Sequence, residues 1–173
     1  MFKLLFNPEG RIGPDAFAKG AVILLALNFV LWLGWYVSLG VGILASLIAL
    51  ITVYCWACLF TKRFHDAGLP GWGFPLILLA FYVLVSFVFA PLLSGLFSVS
   101  PEAVEAYIVL EEFQNSDEQP TTMEEIQPVI EALGILMKSM AIRSSIVFFI
   151  SGAILAFGIN KFLKTDPEPN RWG

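Results

Sequence analysis

GAVILLALNFVLWLGWYVSLGVGILASLIALITVYCWACLFT, residues 20–61, runs for 42 residues without an Asp, Glu, Lys or Arg. About 20 apolar residues cross a bilayer as a helix, so a run of this length reads as two spans joined by a tight turn. Ser38-Leu39-Gly40-Val41-Gly42 is the expected turn, because two glycines relieve the backbone there. The first span is placed at 20–37 and the second at 43–61.

Two more charge-free runs follow, Ala67–Pro101 and Ser144–Asn160. The third span, 74–93, opens on Phe74-Pro75, where the missing proline N–H costs nothing, and Pro91 should bend its far end. The fourth is placed at 142–161. The composition agrees. Hydrophobic residues make up 58% of the 173 and charged residues 14%, against about 45–50% and about 25% in soluble chains. A cleaved signal peptide is not expected, since Glu9 and Asp15 precede an over-long apolar run. The fold class is an all-α integral membrane protein with four transmembrane helices. Its single membrane domain covers 1–173.

Basic residues collect on the cytoplasmic side of membranes. With the amino terminus inside, Lys3, Arg11, Lys19, Lys62, Arg63, Lys161, Lys164 and Arg171 all lie inside, and only Lys138 and Arg143 fall outside. Both termini are therefore expected in the cytoplasm. Residues 94–141 become an acidic extracytoplasmic insertion, with nine acids and no base between 102 and 131. Ser100-Pro101-Glu102 should open a helix to about Phe113, and Asn115–Pro120 should break it. Thr122–Glu125 matches a capping box that Pro128 should limit to about one turn. From Pro128 the apolar stripe Val129, Leu133, Leu136, Met137, Met140 predicts one helix running into the fourth span. The net charge of −4 excludes a basic nucleic-acid binder, so no nucleic-acid partner is expected.

The loop between the second and third spans reads Lys62-Arg63-Phe64-His65-Asp66-Ala67-Gly68-Leu69-Pro70-Gly71-Trp72-Gly73 and holds the only histidine. It resembles R-R-x-H-D-x-G-x-S-G-W-W, the signature of the bacterial inner-membrane family known as domain of unknown function 805. Gly10-Arg11-Ile12 is similar to that family's amino-terminal G-R-I/L, and Asn170-Arg171-Trp172-Gly173 to its closing N-R-Y/F-G. The departures are Lys62 for arginine, Pro70 for serine, Gly73 for the second tryptophan and Trp172 for a smaller aromatic. The resemblance implies a multi-pass location in a bacterial inner membrane and no particular activity.

All three motifs fall at the same face, so Arg11, Arg63, His65, Asp66, Asn170 and Arg171 can converge on one patch. Gly68, Pro70 and Gly71 should set a rigid turn, with a glycine at positive φ. Trp72 suits the aromatic belt. Lys62 and Asp66 would pair at i,i+4 if the second helix continues into the loop. Two readings fit the patch. It is a structural latch between loop and termini, or it is a site for an anionic group, since Arg forks suit phosphate and anionic lipid lies close by.

No catalytic residues are assigned. His65 and Asp66 are chain neighbours and point to different faces of a helix, and one histidine cannot furnish a zinc site. No metal or cofactor is expected. Cys55-Trp56-Ala57-Cys58 lies mid-span, where packing fits better than redox chemistry. Asn28 is expected in an interhelical hydrogen bond, and Gly152, Gly158, Ser144, Ser145 and Ser151 should line a close helix contact. No span carries a central charge, which argues against secondary active transport.

The leading functional reading is an accessory or binding module that recognises an anionic group, a lipid headgroup or a partner through the patch. Its partners would be the lipid bilayer, including anionic phospholipid, and a homo-oligomer or another membrane protein. The runner-up is a small oligomeric transport or channel protein, with only Asn28, Thr52 and Ser86 for a polar stripe. A membrane-embedded enzyme comes third.

Overall fold

The structure, a computed structural model, describes residues 2–89, 91, 100–116 and 122–167. Among these every regular element is helical: α1 (Phe2–Phe6), α2 (Pro14–Val37), α3 (Leu39–Asp66), α4 (Phe74–Val83), α5 (Pro101–Asn115) and α6 (Met123–Phe162). A 3₁₀ turn, Gly71–Gly73, leads into α4, and a π-helix, Leu84–Phe89, follows it. Four stretches are long and apolar enough to cross a membrane: Pro14–Val37, Leu39–Asp66, Gly71–Val88 and Met123–Phe162. Their outward faces are apolar, with Val30, Leu44, Leu50, Leu76 and Phe87 all exposed.

The expected turn at 38–42 is shorter than the glycines suggested. Ser38 is the one non-helical residue between α2 and α3, and its hydroxyl accepts from the Val41 N–H at 3.2 Å. Gly40 and Gly42 are helical. Their use is proximity, at least for Gly42, where a Cβ would stand 2.4 Å from the Trp35 ring. Small residues allow α2 and α3 to pack along their lengths, with Gly34 beside Ala45 and Gly20 beside Leu59. On its other side α2 packs as extensively on α6, where Gly152 leaves room for Leu25, while Gly158 meets nothing within 4 Å. Ser145 and Ser151 are fully buried. By contrast α4 touches α3 and α6 only lightly. Its irregular π segment lies just before Pro91, and residues 92–99 lie outside the described residues, as does the 117–120 part of the expected break.

Pro128 does not stop a helix, contrary to expectation. It sits in the second turn of α6, where it removes one hydrogen bond and crowds the carbonyl of Glu124, an exposed residue. Thr122 caps the same helix, accepting from the Glu125 N–H at 3.4 Å. The single helix therefore has 40 residues and is about 60 Å long at 1.5 Å per residue, twice a hydrocarbon core. Its far half carries α5, capped by Ser100 as its sequence suggested, through buried Ala103 and Ala106. Lys138 reaches back over the Tyr36 ring at 5.0 Å.

Candidate functional site

The end of the bundle where α3 meets the amino terminus holds most of the motif residues. Phe17, Leu24, Leu59, Phe60 and Phe74 form the apolar floor beneath them. Above that floor α3 ends in Lys62, Arg63, His65 and Asp66, all buried, at 3%, 1%, 7% and 5% exposure. Charges buried this far must be paired and hydrogen-bonded.

Arg63 is paired on every nitrogen. Its Nη1 donates to Asp66 Oδ2 at 2.6 Å, one helical turn on. Its Nε donates to Asn160 Oδ1 at 2.8 Å, and its Nη2 to the carbonyls of Asn160, at 3.3 Å, and Leu163. Those carbonyls belong to the last turn of α6, which has no N–H of its own to offer them. Asn160 in turn donates through Nδ2 to the Pro14 carbonyl at 3.1 Å, closing α6 onto the start of α2.

Asp66 serves as the hub. Besides Arg63 it accepts from the Thr165 hydroxyl at 2.8 Å, and Arg11 Nη2 lies 3.6 Å from its other oxygen. Arg11 Nη2 also donates to the Asp66 carbonyl at 3.3 Å and the Asp166 carbonyl at 2.5 Å. The Asp166 N–H returns to the Asp66 carbonyl at 2.8 Å. Gly68, at φ 73°, takes the left-handed turn expected of a glycine, and Asp166 crowds the place a Cβ would occupy. Pro70 is extended at φ −71°, and Gly71, within ordinary φ, lets the backbone press against Thr61. Trp72 is 71% exposed.

The expected Lys62–Asp66 pair does not form. Lys62 Nζ instead donates to the carbonyls of Lys3, at 2.8 Å, and Leu4. These are unpaired carbonyls near the end of α1, where an ammonium is favoured. Asp66 is then left to Arg63 and Arg11, whose guanidinium groups offer more donors. His65 Nδ1 faces the Gly10 carbonyl at 3.3 Å and does not bond to Asp66.

Arg11, Arg63, His65 and Asp66 are thus brought together as the sequence suggested, with every polar contact shown going to the protein itself. Asn170 and Arg171 lie outside the described residues. Sequence reasoning missed Asn160 and Thr165. Asn160 carried a signal, since it is the polar residue that ends the last charge-free run, one position before Lys161. Among the described residues no group of three His, Cys, Asp or Glu is placed to hold a metal ion. Cys55 and Cys58 are buried free thiols in α3. Asn28 and Thr52, offered as parts of a polar stripe, bond to each other within one chain at 2.8 Å.

Among the described residues the exposed charges around this buried centre are Lys3, Lys19, Lys161 and Lys164, against the exposed acids Glu9 and Asp15. Comparison with protein-family models, curated proteins and solved structures gave no match to this chain.

Proposed function

We propose that this chain is a four-span protein of a bacterial inner membrane, with both termini cytoplasmic, that acts by binding anionic groups rather than by catalysis. On this reading it is a member of the domain of unknown function 805 family, which its three motifs resemble. The carrying observation is the division of labour among its cations. Arg11, Lys62 and Arg63 hold the loop, α1 and the end of α6 together, while four lysines and Trp72 stay exposed around them. Lysines near an anionic leaflet contribute about 1 kcal/mol each, and an interfacial tryptophan sets their depth. Arg11 and Arg63 are the scaffold and the exposed lysines the contact surface.

Phosphatidylglycerol added to the detergent-purified protein should raise its melting temperature, and phosphatidylcholine should not. The rise should shrink in high salt, as exposed charges are screened within about 8 Å at physiological ionic strength. Replacing Lys3, Lys19, Lys161 and Lys164 together by Gln should abolish it without lowering the basal melting temperature. Equal stabilisation by both lipids would refute the headgroup reading.

Orientation has its own check. In a background without Cys55 and Cys58, Glu112→Cys should react with an impermeant thiol reagent applied to intact cells, and Leu69→Cys should stay unlabelled. The opposite pattern would invert the topology.

A further inference from the structure

Below the apolar floor of the charged end, with Phe60 and Phe74 of that floor in its wall, the light packing of α4 leaves a cavity of about 280 Å³. A cavity of about 150 Å³ is enough for benzene, so this one takes a substituted ring with the start of a chain. Its walls are aromatic, among them Phe29, Trp32, Trp56, Phe81 and Phe148. Four of its lining residues, Leu50, Val53, Leu78 and Phe149, are exposed, and all four stand mid-helix. The cavity therefore opens sideways. Resting on the four-span reading, that opening faces hydrocarbon.

Three lining residues, Asn28, Thr52 and Ser145, are polar, and of these Asn28 has a donor to spare. Asn28 lies about 13 Å along the helix from Lys19 and about 15 Å from Ser38, at 1.5 Å per residue. That is the middle of a core about 30 Å thick. Its Nδ2 donates one hydrogen to the Leu24 carbonyl at 2.9 Å, and its Oδ1 accepts from Thr52 at 2.8 Å. The second Nδ2 hydrogen has no acceptor among the described residues. A donor left unmade in hydrocarbon is costly, and the occupant that answers it must carry an acceptor to mid-depth. Phospholipid esters stay at the interface, about 15 Å away, and plain hydrocarbon brings no acceptor. A flat ring with carbonyl oxygens and an apolar tail meets all the conditions. Its faces stack on the aromatic walls at the usual offset geometry, one carbonyl accepts from Asn28, and the tail leaves through the side opening.

We propose that this cavity binds the ring of an isoprenoid quinone, held by the Asn28 amide between α2, α3, α4 and α6.

The test uses the full chain in phosphatidylcholine nanodiscs, with decylubiquinone as probe and decylbenzene, which lacks carbonyls, as control. Native mass spectrometry should show one decylubiquinone bound per chain, and tryptophan fluorescence should quench saturably. Asn28→Leu should weaken binding about tenfold, the loss of one hydrogen bond. Ala49→Phe, which fills the cavity from α3 and leaves Asn28 in place, should abolish saturable quenching at an unchanged helical content. Equal binding of decylbenzene and decylubiquinone, or binding indifferent to both variants, would overturn the proposal, as would no one-to-one complex in the wild type. Stabilisation by phosphatidylglycerol should survive Ala49→Phe, so loss of quinone binding and loss of headgroup binding report separately.

Discussion

Asp66→Leu should lower the thermal midpoint of the detergent-purified protein more than the double change Arg63→Leu with Asp66→Leu. The single change leaves the Arg63 guanidinium, 1% exposed, without its 2.6 Å carboxylate and takes a partner from Arg11 and Thr165 as well. Breaking a buried pair from one side costs about 3–5 kcal/mol, because the remaining charge stays out of water. For a chain of this size that is a fall of about 10 °C. Removing both charges leaves no buried, unpaired Arg63 guanidinium, and Arg11 keeps its contacts to the Asp66 and Asp166 carbonyls, so the loss should be smaller. Strictly additive losses in this double-mutant cycle would show that Arg63 draws its stability from Asn160 and Leu163 alone.

The helical hairpin supplies the second large effect. Gly42→Leu should destabilise the protein by about 1–3 kcal/mol, the usual cost of overpacking. A Cβ at Gly42 would stand 2.4 Å from the indole of Trp35, and that ring is tied by its Nε1 to the Ser46 hydroxyl at 3.1 Å. It has little room to turn aside. Gly40→Ala, two residues away, meets nothing within 4 Å. It should be neutral or stabilising, since alanine favours a helix over glycine by about 1 kcal/mol. Melting both variants side by side decides the matter. A similar response from the two would mean that the hairpin is held by something other than this contact.

These two glycines also show where the sequence stopped being legible. The charge-free runs gave four apolar helices directly, because membrane-length hydropathy is a signal carried by many residues at once. Whether a glycine bends a chain or admits a neighbour depends on a residue it meets in space, here Trp35, which hydropathy does not encode. Pro128 misled for a related reason: Thr122 marked the helix start correctly, but whether a proline inside a helix ends it or is absorbed depends on what holds the helix in space. At the charged end, Arg63 and Asp66 sit one helical turn apart and pair. Lys62 and Asp66 were also correctly spaced, yet α1, five residues long, offered Lys62 its free carbonyls. Asn160 and Thr165 lie 97 and 99 residues from the α3 groups they bind, beyond the reach of any local pattern.

That separation along the chain imposes an order of assembly. At about 5–20 residues per second, a ribosome takes about 5–20 s to pass from Arg63 to Asn160. Asp66 is made almost with Arg63, so the two charges can neutralise each other as α3 leaves the ribosome. The remaining guanidinium donors wait for α6, made after the other three apolar helices. A nascent chain therefore carries a half-satisfied arginine through the synthesis of 97 residues, and only the arrival of the carboxy-terminal turn, with Asn160 and Leu163, certifies that the bundle is complete.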